Sequence, residues 1–249
     1  MYKKVLLVFI SSLLFYNQVV FSKENIKNQL NVLDKKENNK KHLYWLNLLI
    51  DNVKPENTSY IHKNTSVKWQ NINNSDKYES KTDCSGLFNS IFSQSYNYDK
   101  NFFLKYFGTE RPRAENYYKA ISEQKIFSKI TNISEVSEGD IIAIKYPTSN
   151  KNTGHTMFIT SKPIKNKTSL PYVEDTDQYL VEIADSTSTL HGKDDFRLKK
   201  GIKQGLGKGI FRIYTSFSGN FLGYAWSTDS KANFHNREER DFVIGRIKN

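Results

Sequence analysis

Sulfur is scarce in this chain: among 249 residues there is one cysteine, Cys84, and two methionines. A lone cysteine excludes any disulfide within the chain, so stability has to come from the packed core. The absence of an HExxH run and of clustered Cys/His spacing argues against a zinc site, and neither a metal nor a cofactor is expected. After the first 22 residues no apolar run is long enough to cross a bilayer, so no stable membrane insertion is expected. Acidic charge is also in deficit, with 26 Asp and Glu against 37 Lys and Arg and a net charge of +11. That balance suits an anionic cell-surface polymer, lipid head groups or nucleic acid. The basic residues are scattered, without the basic-aromatic register of a nucleic-acid module, and no nucleic-acid partner is expected.

Aromatic residues, in contrast, are plentiful: 15 Tyr, 16 Phe and 3 Trp. Each buries a large area and together they can supply a core. The N-terminus has the pattern of a signal peptide, with Lys3 and Lys4 ahead of an apolar run from Val5 to Phe15. Val20 and Ser22 are small enough for the peptidase positions, which places cleavage after Ser22 and the mature protein in the periplasm or outside the cell. A retained N-terminal anchor is the alternative. No cysteine follows the apolar run, which excludes lipid attachment there.

Residues 23–55 read as a polar N-terminal segment with one amphipathic helix, carried by Leu43, Leu46, Leu49 and Ile50 and ended by Pro55. Residues 56–249 read as one domain with a C-terminal strand extension. Leu87, Phe88, Ile91 and Phe92 predict a helix that begins at Cys84, capped by Asp83 or Thr82. A second helix is predicted over 111–124, entered through Pro112. Thereafter short β-branched and aromatic runs (DIIAIKY, HTMFIT, YLVEIA, GIFRIYT, FLGYAW and DFVIGRI) alternate with turn residues. Helices first and strands afterwards predict an α+β domain with an antiparallel sheet. GLGKG, at 205–209, lacks a following helix and reads as a glycine-rich turn rather than a phosphate loop.

A thiol at a helix start meets free N–H groups and the positive end of the helix dipole, which favour a thiolate and can hold an oxyanion. Cys84 is therefore a candidate nucleophile, with an inert buried thiol as the plain alternative. Small residues behind it, Ser85 and Gly86, leave room for a substrate. Of the five histidines (His42, His62, His155, His191 and His235), His155 follows Gly154 at the opening of a strand, where the sheet holds it while its rim exposes it. Asp185, where the next strand turns polar, can orient the imidazole; its alternative role is an Asx cap, and Glu182 is the second choice. His191, with Asp194, Asp195 and Arg197, reads as a loop-stabilising salt-bridge cluster or as a second orienting group.

Asp83–Cys84–Ser85–Gly86–Leu87, then Gly139–Asp140–Ile141–Ile142, then Gly154–His155–Thr156 resembles the NlpC-type cysteine peptidases, papain-like enzymes of bacterial cell walls. The motifs span about residues 56–190. The resemblance implies a papain-like fold with the nucleophile helix packed on the sheet that carries the base. It also implies Cys84 as nucleophile, His155 as base and Asp185 as the third member, with Asp83, Ser85 and Gly154 at the substrate. A tyrosine upstream of the cysteine would help the oxyanion hole; Tyr60 is the candidate and Tyr78 the second. The chain departs from the family in lacking a glycine pair upstream of the cysteine. It also has aspartate where histidine is usual, about thirty positions after the base. No SH3-like or LysM-like wall-binding module is apparent.

These residues lead to the expectation of a secreted cysteine hydrolase acting on amide bonds, with peptidoglycan stem peptides as the substrate class implied by the resemblance. A transamidase using the same thioester, and a catalytically silent wall-binding protein on the same scaffold, are the alternatives. Binding to membrane or nucleic acid through net charge alone is a third.

Overall fold

A computed structural model describes residues 40–72, 74–147 and 152–248. The proposed signal peptide and most of the polar segment lie outside these residues. Lys41–Lys248 form one compact unit. Its helices are α1 (Lys41–Asn52), α2 (Cys84–Tyr96), α3 (Lys100–Phe107) and α4 (Ala114–Ser122). No described helix is long and apolar enough to cross a membrane.

The architecture is α+β, with helices packed against an antiparallel sheet. Its strands are β4 (Phe127–Ile130), β5 (Ile141–Lys145), β6 (Gly154–Ile159), β7 (Ile164–Asn166), β8 (Asp177–Thr187), β9 (Gly205–Thr215), β10 (Phe221–Ala225), β11 (Phe234–Asn236) and β12 (Phe242–Ile247). The order is β11-β10-β9-β8-β6-β5-β12-β4, and β7 pairs with β8 beside that path. A small second sheet, β1 (Thr58–Ser59), β3 (Glu79–Lys81) and β2 (Ser66–Lys68), leads the chain into α2.

Alternation of side chains gives the large sheet two apolar faces. Ile141, Ala143, Phe158 and Ala184 face the helices, whereas Ile142, Ile144, Met157, Ile159, Val181 and Ile183 line the other side. That second side is closed by the sheet itself. Phe221 and Tyr224 of β10 meet Phe242 of β12 with ring centroids 5.6 and 5.7 Å apart, although four strands lie between them. Strong curling therefore gives both faces a core.

Three departures from the sequence reading have local causes. The helix predicted over 111–124 begins at Ala114, because Arg113 is extended and serves as the N-cap. The Lys100–Phe107 helix was not anticipated; Asp99 caps it by accepting from the Phe102 amide, and Phe103 and Phe107 bury its inner face. GLGKG is no turn but the opening of β9, fully paired with β8 from Thr187↔Gly205 onward.

α2 is held by its inner face. Leu87, Phe88, Ile91 and Phe92 are all fully buried, and the Phe88 ring lies 3.9 Å from that of Phe158 on β6. Each such side chain contributes about 1.5–3 kcal/mol on burial. His42 ties α1 to the same core, accepting from the Tyr96 hydroxyl at 2.7 Å and donating to the Gly139 carbonyl at 2.9 Å. Phe88→Ala is expected to cost about 3–5 kcal/mol, read as a lower urea midpoint; a loss under 1 kcal/mol would contradict this packing.

Candidate active site

Between β6 and β8 the recorded pairs are Phe158↔Ala184 and Ile159↔Ile183. Beyond them the two strands part, β6 continuing on β5 and β8 on β9. The start of α2 lies at this opening. Ser186 on β8 donates to the Thr82 carbonyl at 2.6 Å, and on the neighbouring strand the Leu206 amide donates to Thr58 Oγ1 at 2.8 Å. Asp83 caps the helix: one carboxylate oxygen accepts from the Gly86 amide at 2.7 Å and from the Ser85 hydroxyl at 3.2 Å. Its other oxygen meets His62 at 3.1 Å and Arg111 at 3.7 Å. The amides of Cys84 and Ser85 have no acceptor among the described residues, as the first turn of a helix leaves them.

Cys84 thus begins the helix, and His155 reaches it from β6. His155 Nε2 donates to Asp185 at 2.6 Å, which leaves Nδ1 as the ring's other polar atom. The imidazole's pKa reflects both neighbours. Burial alone would lower it, but the Cys84 sulfur, as a nearby charge and a hydrogen-bond partner, and the Asp185 carboxylate raise it to about 10. Trp226 from the end of β10 stands edge-on to the His155 ring at 4.9 Å.

Asp185 is completely buried, a placement that costs several kcal/mol unless its charge is compensated. Arg197 donates to one oxygen, and His155 and His191, the latter at 3.1 Å, approach the other. Burial would raise this carboxyl's pKa; Arg197 first, then His191 and the two histidine hydrogen bonds, hold it well below the usual carboxylate range. Arg197 is itself fixed by Asp195 at 2.9 Å and by the carbonyls of Asp185, Gly205 and Gly207. His191 donates to the Trp226 carbonyl at 2.7 Å and stacks on its indole at 4.3 Å.

The glycines of β9 make this cluster possible. A Cβ at Gly207 would lie 2.4 Å from Arg197 Cγ, and one at Gly209 would lie 2.6 Å from His191 Cβ. Both side chains cross the strand where it has none of its own.

Two cavities meet at the site. One, of about 470 Å³, is lined by Tyr60, Cys84, Ser85, Arg111, Arg113 and Gly154 on the thiol side. The other, of about 230 Å³, has His155, Tyr146, Tyr224 and Trp226 in its walls. Tyr60 and Asn152 border both. Burial, then the charges of Cys84 and Asp83, push the Tyr60 hydroxyl's pKa up.

The sequence candidates are distributed as follows. Cys84, His155 and Asp185 come together, with Tyr60, Asp83, Ser85 and Gly154 around the thiol. Tyr78 packs on the helix-side core instead. Glu182 points elsewhere, to Thr160 and Lys208. Asp194 accepts from the Thr228 hydroxyl, outside the cluster that joins His191, Asp195 and Arg197. Trp226 escaped sequence reading, since nothing near it in the chain signals the two histidines it covers. Among the described residues no group of three or more His, Cys, Asp or Glu is arranged to hold a metal.

A group that binds its proton more tightly when folded stabilises the fold below its unfolded pKa, near 6.5, and loses that contribution as pH rises toward its folded value. The stability advantage of wild type over His155→Gln is expected to be largest at pH 6 and to shrink steadily up to about pH 10, followed by urea midpoints. A difference that grows with pH would overturn the assignment.

No protein-family model matches the chain, and no solved structure matches it. Over 216 residues it is 35% identical to "Uncharacterized protein R653" of Acanthamoeba polyphaga mimivirus, an alignment covering 82% of this chain and 95% of the viral one. The chain belongs to the same family as this mimivirus protein.

Proposed function

We propose that the protein is a papain-like cysteine hydrolase of NlpC type that cleaves amide bonds through a thioester. What supports this reading is Cys84 at the first turn of α2 beside an open cavity, with the His155 imidazole as its electrostatic neighbour and Nε2 of that ring bonded to Asp185. A nucleophile, a base and a group that orients the base are the components acyl transfer needs.

In this mechanism Cys84 Sγ attacks the amide carbon and forms a C–S bond. The carbonyl oxygen becomes an oxyanion near the Cys84 and Ser85 amides, with the Tyr60 hydroxyl as a further donor. The C–N bond breaks as His155 gives its proton to the departing amine. Water, deprotonated by His155, then attacks the thioester, and the acid leaves as the thiol is restored. With a pKa near 10 the imidazole is charged at neutral pH, the state in which it can protonate the amine. Asp185 stays anionic throughout and holds Nε2–H, so that Nδ1 faces the sulfur.

Peptidoglycan stem peptides are the substrate class we propose, on the resemblance of the three motifs. The N-terminal Lys3, Lys4 and Val5–Phe15 pattern supports export to the periplasm or beyond, where that polymer lies. The excess of basic charge suits an anionic wall surface.

Muropeptide digests read by mass spectrometry test the proposal. Wild type is expected to release product and Cys84→Ala none, with His155→Ala reduced about 100- to 10,000-fold. Iodoacetamide at neutral pH should alkylate wild type faster than His155→Ala. Equal product from wild type and Cys84→Ala would end the thioester mechanism.

A further inference from the structure

The imidazole-side cavity contains a cation that the mechanism above does not use. Arg240 lines it, its guanidinium 4.9 Å above the Tyr146 ring and 3.5 Å from His235 Nε2. No carboxylate pairs with it among the described residues. Asp241 is occupied by Arg237 at 2.6 Å and by the Tyr118 hydroxyl, while Glu239 faces His235 at 4.0 Å from an exposed position. Asp185 is fully engaged behind His155. The Tyr224 hydroxyl is buried in the same wall; burial keeps its pKa raised, while Arg240, by its charge and as a hydrogen-bond donor to the phenol oxygen, opposes the rise and leaves the hydroxyl's own proton to donate. His235 is held below its ordinary pKa, first by burial and then by Arg240, so it adds no second fixed charge.

A polarised donor pair facing a small space, with its charge unanswered, is a site for an oxyanion. Its position says which one. Cys84 borders the larger cavity and His155 the smaller, so the acyl portion lies on the thiol side and the leaving amine on the imidazole side, where His155 protonates it. At about 230 Å³ the smaller cavity falls below the range of whole-ligand pockets, about 300–1,000 Å³. It has room for one residue between aromatic walls.

We propose, building on the hydrolase reading, that this cavity is the subsite of the leaving residue and that Arg240, with Tyr224, binds its free carboxylate. The enzyme is then a carboxypeptidase, releasing one amino acid from the C-terminal end of a peptide. An amidated or extended chain leaves the guanidinium without its partner, and selectivity follows from that loss.

The test uses N-acetylated tetrapeptides ending in L- or D-alanine, each as free acid and as C-terminal amide. Wild type should release a single alanine from the acids, with kcat/KM at least tenfold above that for the amides. Arg240→Gln should lower kcat/KM for the acids by about 10- to 100-fold, the size expected for a hydrogen bond to a charged group, mainly through KM. It should leave the amides unchanged, and Arg240→Lys should restore part of the preference. Calorimetric binding of N-acetyl-alanyl-alanine to the Cys84→Ala protein, as acid and as amide, supplies a readout that needs no turnover. Equal hydrolysis of acids and amides overturns the carboxylate subsite and leaves the hydrolase standing. Absence of hydrolysis on every peptide and on muropeptides overturns the hydrolase, and equal affinity of the two binding probes overturns the subsite.

Discussion

Asp185 carries its charge where water cannot reach it, and much of the site's geometry answers that fact. A buried carboxylate persists only if its lone pairs are met by donors and its charge by cations. Arg197, His155 and His191 meet both requirements from three directions. Each is then held in turn: Arg197 by Asp195 and three carbonyls, His191 by the Trp226 carbonyl, His155 by the sheet on one side and Cys84 on the other. Removing Asp185 or Arg197 would leave a buried charge short of a partner. The imidazole cannot rotate without breaking the bond to Asp185, so the ring is held in one orientation beside Cys84.

The opening between β6 and β8 is the other constraint. Antiparallel strands that stop pairing lose ladder hydrogen bonds, and those groups need partners elsewhere. At the opening the Ser186 side chain donates to the Thr82 carbonyl ahead of α2, and on β9 the Leu206 amide donates to Thr58. Those bonds bring the start of α2 against the parted strands, and the phenylalanines of its inner face keep it there. The same parting that costs sheet hydrogen bonds creates the space in which a thiol, an imidazole and two cavities can meet.

Some of this was legible from local pattern. The spacing of Leu87, Phe88, Ile91 and Phe92 fixes where α2 starts because helix periodicity is a local property, and Asp83 is a strong cap type at the matching position. Gly154–His155 marks the start of β6 for the same reason, whereas β8 runs on past the polar end of YLVEIA to Thr187. GLGKG was misread because glycines usually break strands, whereas here they admit the side chains of Arg197 and His191. That demand comes from residues near in space rather than next in sequence. Likewise His191, Asp195 and Arg197 looked like a loop cluster, and they are one, but their contact with Asp185 requires the pairing of β8 with β9. Trp226 has no local signal at all: its partners are 35 and 71 positions away in the chain.

Trp226 also explains why the strands after β8 belong to the site rather than decorate it. A hydrogen bond between a carboxylate and an imidazole weakens steeply when water competes for either partner, and strengthens in a medium of low polarity. The indole lies edge-on to His155 and flat on His191, covering both rings where β6 and β8 have parted. It can do so only because β10 curls back across the sheet, a path set by the contacts of Phe221 and Tyr224 with Phe242 on β12. β11 then brings His235, and the turn after it Arg240, to the wall of the cavity beyond the imidazole. Curling that buries an apolar face for stability thus also dries the charged cluster and builds a wall of the smaller cavity. A chain ending after β8 would lose His191, Arg197 and the indole that covers His155. Asp185 would be left exposed, and the imidazole with a looser partner.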